Sequence, residues 1–200
     1  MKVLVTGFEP FGGEEINPSW EAVKRLPDEI DGAELIKRQL PVTFKGVREI
    51  LPRLIVEERP DVVILTGQAG GRPNITVERV AINVMDSTMS DNEGFAPEDE
   101  PIFEGAPAAY FATLPVKAIV KALREAKIPA AVSNTAGTYV CNTAMFTALH
   151  TIAVSGMGTK AGFIHVPFIH EQALEKPRPS MALETITRAF EVAVKTSLRG

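Results

Sequence analysis

Short apolar runs alternate with helix-patterned segments along almost the whole chain, and that alternation restricts the folds open to it. Val3 to Thr6, Val62 to Leu65, Ala130 to Val132 and Gly162 to Val166 are bounded by Gly, Pro or polar residues and lack helical spacing, so they read as buried strands. Between them, Trp20 to Leu26, Phe44 to Glu58, Val116 to Lys127, Tyr139 to Ala153 and Met181 to Leu198 have helical character. The alternation predicts an α/β domain with a largely parallel sheet, helices on both faces and right-handed crossovers. Sites in such folds favour the carboxyl ends of the strands. Pro52 falls inside the second helical segment and is expected to remove a hydrogen bond and bend or split it.

Two hundred residues at 45% hydrophobic and 23% charged composition suffice for the core of one domain. No repeat, low-complexity tract or Ser/Gly linker divides the sequence, so residues 1–200 read as a single domain. The stretch Asp86 to Pro107 stands apart: acidic, punctuated by Pro and Gly, and too long for an ordinary connection. It reads as a lid or interface loop, the alternative being a surface loop without a role. A net charge of -4 with scattered Lys and Arg argues against nucleic acid and anionic membrane as partners. The amino-terminal apolar run is too short for a signal peptide and no later run reaches spanning length, so a cytoplasmic location is expected. The single cysteine forms no intrachain disulfide and suits a reducing compartment.

Three residues have the chemistry of acyl transfer. Cys141 follows what reads as a strand end, a Gly turn and a helix start, which would set its thiol in a first helical turn. Backbone N–H groups there favour thiolate and could receive an oxyanion, although cysteine commonly packs as a small hydrophobe. His165 stands near the carboxyl end of an apolar strand that closes at Pro167, where an imidazole could take the thiol proton; the alternative is a core histidine bonded to a backbone carbonyl. Glu78 belongs to Ile75 to Val84, read as one extended strand in which Glu78 shares a face with Val80, Ile82 and Val84. A carboxylate on an apolar face needs a cation or an imidazole beside it. Nucleophile, base and orienting carboxylate are thus all present in type. His150 and His170 lack comparable context, and no metal-ligand spacing, dinucleotide fingerprint or P-loop occurs, so no metal and no cofactor are expected.

The sequence resembles the pyroglutamyl peptidase type I, or pyrrolidone-carboxylate peptidase, family nearly end to end. The resemblance rests on Thr6-Gly7-Phe8-Glu9-Pro10-Phe11-Gly12-Gly13, Asn17-Pro18-Ser19-Trp20-Glu21 and Gly67-Gln68-Ala69-Gly70-Gly71-Arg72. It rests above all on three signatures in order: Ile75-Thr76-Val77-Glu78-Arg79-Val80-Ala81-Ile82-Asn83, Thr135-Ala136-Gly137-Thr138-Tyr139-Val140-Cys141-Asn142 and Gly162-Phe163-Ile164-His165-Val166-Pro167. The resemblance implies an α/β/α sandwich around a largely parallel or mixed sheet. It also implies a cofactor-independent cytosolic thiol exopeptidase, commonly a homotetramer, that removes an amino-terminal pyroglutamyl residue from peptides. By position Cys141, His165 and Glu78 match the family's catalytic three, Phe8 and Phe11 its pocket aromatics, with Asn17 and Gln68 close to the site. A flat lactam without a cationic amine suits apolar walls with a few amide contacts. One departure stands out: where the family leads one to expect an arginine, Asp86-Ser87-Thr88-Met89-Ser90-Asp91 has Thr88. A binding protein that has lost turnover, or a hydrolase of another amide, are the competing readings.

Overall fold

The apolar runs form strands because β-branched residues buried on both sides fill the middle of a sheet: Val3, Val5 and Val62 to Leu65 are fully buried. The computed structural model describes residues 1–199. Along the chain the elements are β1 (Lys2–Phe8), α1 (Pro18–Lys24), β2 (Glu29–Ile30), β3 (Ala33–Leu40), α2 (Phe44–Glu58), β4 (Val62–Gln68), β5 (Ile75–Glu78) and β6 (Val80–Ile82). They continue as β7 (Ala109–Phe111), α3 (Val116–Glu125), β8 (Ala130–Ser133), α4 (Val140–Val154), β9 (Lys160–Val166), a 3₁₀ turn (His170–Ala173) and α5 (Leu183–Arg199).

Seven strands make one sheet in the order β2-β3-β1-β4-β9-β5-β8. β3, β1, β4 and β9 are mutually parallel, β5 runs antiparallel to β9, and β8 follows β5 in parallel, so the sheet is mixed but mostly parallel. One face is covered by α1, α3 and α5 over Val3, Val5, Ile64, Val77 and Ile164. The other is covered by α2 and α4 over Leu4, Phe8, Leu65 and Phe163. This is the α/β/α sandwich expected.

Two expectations need correction. The run Ile75 to Val84 is not one strand: β5 lies in the main sheet, while β6 leaves it to pair with β7 in a separate two-stranded ribbon. Arg79 is the joint, its N–H donating to the Ser133 carbonyl on β8 while its own carbonyl accepts from Ala112 N–H beyond β7. Glu78 therefore shares its face with Thr76 and not with Val80 and Ile82. Pro52 does not split its helix, and α2 runs unbroken through it. Phe44, Val47, Leu51 and Ile55 form a buried stripe spanning the proline, and packing of that stripe outweighs one missing backbone bond.

Candidate active site

The carboxyl ends of β1, β4 and β9 and the first turn of α4 converge on one spot of the α2/α4 face. The turn into α4 needs Gly137, whose φ of +80° suits glycine, as the sequence context of Cys141 suggests. Tyr139 is the N-cap in extended backbone, and no side chain caps the helix, so the first-turn amides around Cys141 are left without a side-chain partner. Cys141 itself is half-buried.

His165 and Glu78 meet through the sheet. Thr76 pairs directly with His165 across the antiparallel β5/β9 ladder, and Glu78, two residues on, reaches the imidazole diagonally from the same face. Glu78 Oε1 lies 2.8 Å from His165 Nδ1. With the carboxylate ionised, Nδ1 carries the proton and Nε2 is left as the acceptor. Both groups are buried, Glu78 completely.

The thiol is located by a glycine. Gly67 is the register neighbour of His165 on β4, and a Cβ built there would stand 2.9 Å from Cys141 Sγ and 2.8 Å from Phe163 Cζ. The Phe163 ring in turn lies 4.6 Å, centre to centre, from the imidazole. The space above Gly67, which any side chain would fill, holds the sulfur over the strand position that is the register neighbour of His165.

Arg72 was not singled out from the sequence. Its Nη1 donates to Glu78 Oε1 at 2.7 Å and to Thr76 Oγ1 at 2.6 Å. A Gly-Gly-Arg turn just ahead of a strand bearing a buried carboxylate was the available signal. Burial works against the Glu78 charge, but hydrogen bonds from His165, Ser133 and Arg72 together outweigh it and hold the carboxyl below its ordinary pKa. Ser133 is the β8 register neighbour, yet its hydroxyl donates to the Thr135 carbonyl and Glu78 Oε2 makes no direct hydrogen bond, so its support is the weaker, longer-range kind. Burial lowers the His165 pKa against the pull of Glu78, with Arg72 adding to the depression.

The thiol runs counter to expectation. Burial first, and the Glu78 charge second, push Cys141 up to about 12 despite the opposing Arg72 charge. With the thiol raised and the imidazole lowered, both are neutral at rest.

Phe8, Phe11, Asn17 and Gln68 all line one small pocket with Cys141, closed further by Val42, Tyr139 and Val140. Phe8 is also core, packed 6.4 Å from the Phe163 ring, and Phe11 stands 6.1 Å from Tyr139. Asn17 commits its carboxamide to structure: Oδ1 accepts from Ser19 N–H and Oγ as the cap of α1, and Nδ2 donates to the Glu9 carbonyl. The segment 86–107 is a strap tied down at several points. Tyr139 Oη donates to the Ser90 carbonyl, Asp91 Oδ2 accepts from Phe44 N–H, and Asn92 reaches Glu9 and Pro10. Thr88 is exposed on it. Asn142, immediately after the cysteine, is fully buried and bonds the Ile82 N–H and the Ile82 and Val84 carbonyls. His150 stacks on Phe103 and bonds Tyr110 in an aromatic cluster apart from this site. Among the described residues no group of three or more His, Cys, Asp or Glu is placed to hold a metal, and no helix is long and apolar enough to cross a membrane.

A mixed α/β/α sandwich that sets a thiol, an imidazole and an ionised carboxylate on one face beside a small apolar pocket has the make-up of a thiol-dependent hydrolase. Comparison with known proteins makes that class specific. The family model for pyroglutamyl peptidase matches residues 1–200. The chain is 87% identical over 199 residues to a pyrrolidone-carboxylate peptidase of Thermococcus onnurineus, covering 100% of each, and 51% identical over 200 residues to that of Thermosipho africanus, covering 100% of this chain and 98% of the other. Its fold matches the crystal structure of pyroglutamyl peptidase I from Bacillus amyloliquefaciens with a TM-score of 0.95 at 47% identity, over 98% and 94% of the two chains. A mutant pyrrolidone carboxyl peptidase from Pyrococcus furiosus matches with a TM-score of 0.97 at 47% identity, over 100% and 99%. The chain belongs to the pyroglutamyl peptidase family.

Proposed function

We propose that this chain is a cysteine exopeptidase that hydrolyses the amide bond after an amino-terminal pyroglutamyl (5-oxoproline) residue, with Cys141 as nucleophile, His165 as base and Glu78 as orienting carboxylate. Family membership over the whole chain and 87% identity to a protein bearing that name support the activity. The observation that carries the residue roles is the buried 2.8 Å contact between Glu78 and His165, set next to the cavity above Gly67 that holds the Cys141 sulfur.

Because thiol and imidazole start neutral, proton transfer accompanies attack. His165 Nε2 takes the thiol proton as Sγ bonds to the pyroglutamyl carbonyl carbon, and the oxygen gains the negative charge. First-turn amides of α4, the Cys141 N–H among them, receive that oxyanion; Thr88, exposed on the strap, offers no cation for it. The intermediate collapses as the C–N bond breaks and the imidazolium gives its proton to the leaving amine. Water, deprotonated by the same imidazole, then cleaves the thioester, releasing 5-oxoproline and the free thiol. Glu78 holds the ring and balances its transient positive charge, and Arg72 keeps Glu78 ionised. Phe8 and Phe11 supply apolar walls, Gln68 a polar contact, and Asn17 shapes the wall near α1.

The substrate partners are then peptides with an amino-terminal pyroglutamate. Homotetramer assembly and a cytoplasmic location follow the family resemblance, and light scattering after size exclusion reads the former. The decisive assay uses a fluorogenic pyroglutamyl amide beside amino-terminal Gln and Pro amides. Wild type cleaves the first, and Cys141→Ser, folded to the same melting temperature, loses activity by at least about 10³-fold. Turnover that survives this substitution removes the nucleophile assignment, and stoichiometric binding without product favours a binding protein.

A further inference from the structure

Gln68 lines the pocket, and its carboxamide is held by Gln172, in the 3₁₀ turn after β9. Gln172 Nε2 donates to Gln68 Oε1 at 2.9 Å, and both side chains are buried. The two ends of a carboxamide are told apart by what they bond, so the surrounding network decides their orientation. For Gln172 the choice is forced. Its Oε1 accepts from the Ile169 backbone N–H at 3.1 Å, a group that can only donate. Its Nε2 faces the Ile16 carbonyl at 3.4 Å and Glu14 Oε2 at 3.1 Å, and the Glu14 carboxylate is paired with Lys176. A Gln172 fixed in this way shows nitrogen to Gln68, so Gln68 must answer with oxygen. Among the described residues its own NH₂ has no hydrogen-bond partner, beside the pocket that Gln68 lines.

We propose that Gln172 is a specificity-determining positioning residue. By fixing the rotation of the Gln68 carboxamide it makes the pocket present an N–H donor, and so selects a five-membered ring that carries a carbonyl oxygen over one with a methylene or a donor there. The inference rests on the pocket being the pyroglutamyl site. It adds that discrimination between a lactam and a prolyl ring is set by a side chain that need not touch the substrate. A polar site built around one donor rejects an analogue lacking the matching acceptor far more strongly than an apolar wall does.

The test uses the full chain, a fluorogenic pyroglutamyl amide, 2-pyrrolidone as a competitive probe, and Gln172→Leu and Gln172→Glu. Gln172→Leu frees the Gln68 carboxamide, raising KM and the 2-pyrrolidone Ki by about tenfold with a smaller change in kcat. Gln172→Glu retains an acceptor for Ile169 but has no N–H for Gln68, so Gln68 turns its NH₂ backward and shows oxygen to the lactam carbonyl. Its Ki is therefore higher than that of Gln172→Leu. Both variants keep the wild-type rate of Cys141 alkylation by iodoacetamide. The reverse order, with Gln172→Glu milder, marks a purely structural role and overturns the proposal, as do unchanged KM and Ki in both. Should neither variant fold, the wild type still decides: 2-pyrrolidone binds several-fold tighter than its thiocarbonyl analogue, a weaker acceptor, and equal binding overturns the proposal. A wild type that does not cleave the pyroglutamyl amide sinks the functional reading itself, a different result from an active wild type with indifferent variants.

Discussion

At the scale of single residues, the site depends on one absence and one cation. Gly67 leaves the space that the Cys141 sulfur occupies, and a methyl group there would sit inside the contact distance of both Sγ and the Phe163 ring. Gly67→Ala is expected to push the thiol off line and reduce kcat by about 10²-fold, with a much smaller loss of melting temperature. Steady-state kinetics and thermal unfolding on one preparation separate the two. Arg72 acts in two ways: its hydrogen bond helps keep Glu78 ionised, and its charge disfavours protonated His165. Arg72→Met removes both influences, so the pKa values of the imidazole and the carboxyl both rise. The acid limb of the kcat/KM profile should then move to higher pH, and a limb that stays in place would show that Arg72 does not govern the pair. Cys141, His165 and Glu78 were singled out in the sequence chiefly through three ordered signatures of the family, since the strand context that marked Glu78 breaks at Arg79. Arg72, Gly67 and Gln172 were not. Their importance comes from which strands lie side by side, and no local pattern encodes that β4 neighbours β9 or that a turn after β9 packs behind β4.

At the scale of elements, Asn142 joins the α4 first turn to the ribbon strand β6. Its amide satisfies the Ile82 N–H and two carbonyls in a buried setting, so removing it orphans three backbone groups at once. Asn142→Ala is expected to cost about 2–4 kcal/mol in urea unfolding and to lower kcat, since the neighbouring Cys141 loses its anchor. A change below about 0.5 kcal/mol would mean that water replaces the amide without penalty. The helices were the most readable elements, with Phe44 to Glu58 matching α2 end to end, because a buried stripe at helical spacing is a local signal. Strands fared unevenly. β3 escaped notice because Ala33–Leu40 mixes Glu, Lys, Arg and Gln among its apolar positions near the sheet edge. The break at Arg79 shows in the sequence only as a change of phase, apolar at Ile75 and Val77 and then at Val80, Ile82 and Val84, which a single-strand reading passes over. Nor does alternation reveal that β5 runs against β9, the very pairing that brings Glu78 diagonally to His165.

At the scale of the whole molecule, the three groups proposed for the chemistry also shape stability against pH. Glu78 and His165 both have folded pKa values below their ordinary ones, so the unfolded chain binds more protons as pH falls. Their contribution is present at neutral pH, begins to fade below the ordinary histidine value of about 6.5, and fades further below the ordinary glutamate value of about 4.3. Cys141 acts in the opposite sense. Its folded pKa of about 12 lies above the free-thiol value, so the folded chain keeps a proton that the unfolded chain releases. Stability from this group is complete below about pH 8.5 and is lost as pH rises toward the folded value. One proton held differently gives a limiting slope of about 1.4 kcal/mol per pH unit. Cys141→Ser does not titrate in that range, so its melting temperature should fall less steeply than that of the wild type between about pH 9 and 10.5. Groups remote from the substitution cancel in the comparison, and Tyr139, held up to about 12 by burial and in part by the Cys141 charge, titrates above the range compared. Parallel alkaline limbs would mean that the folded thiol ionises as readily as a free one, and proton transfer would then precede the attack instead of accompanying it.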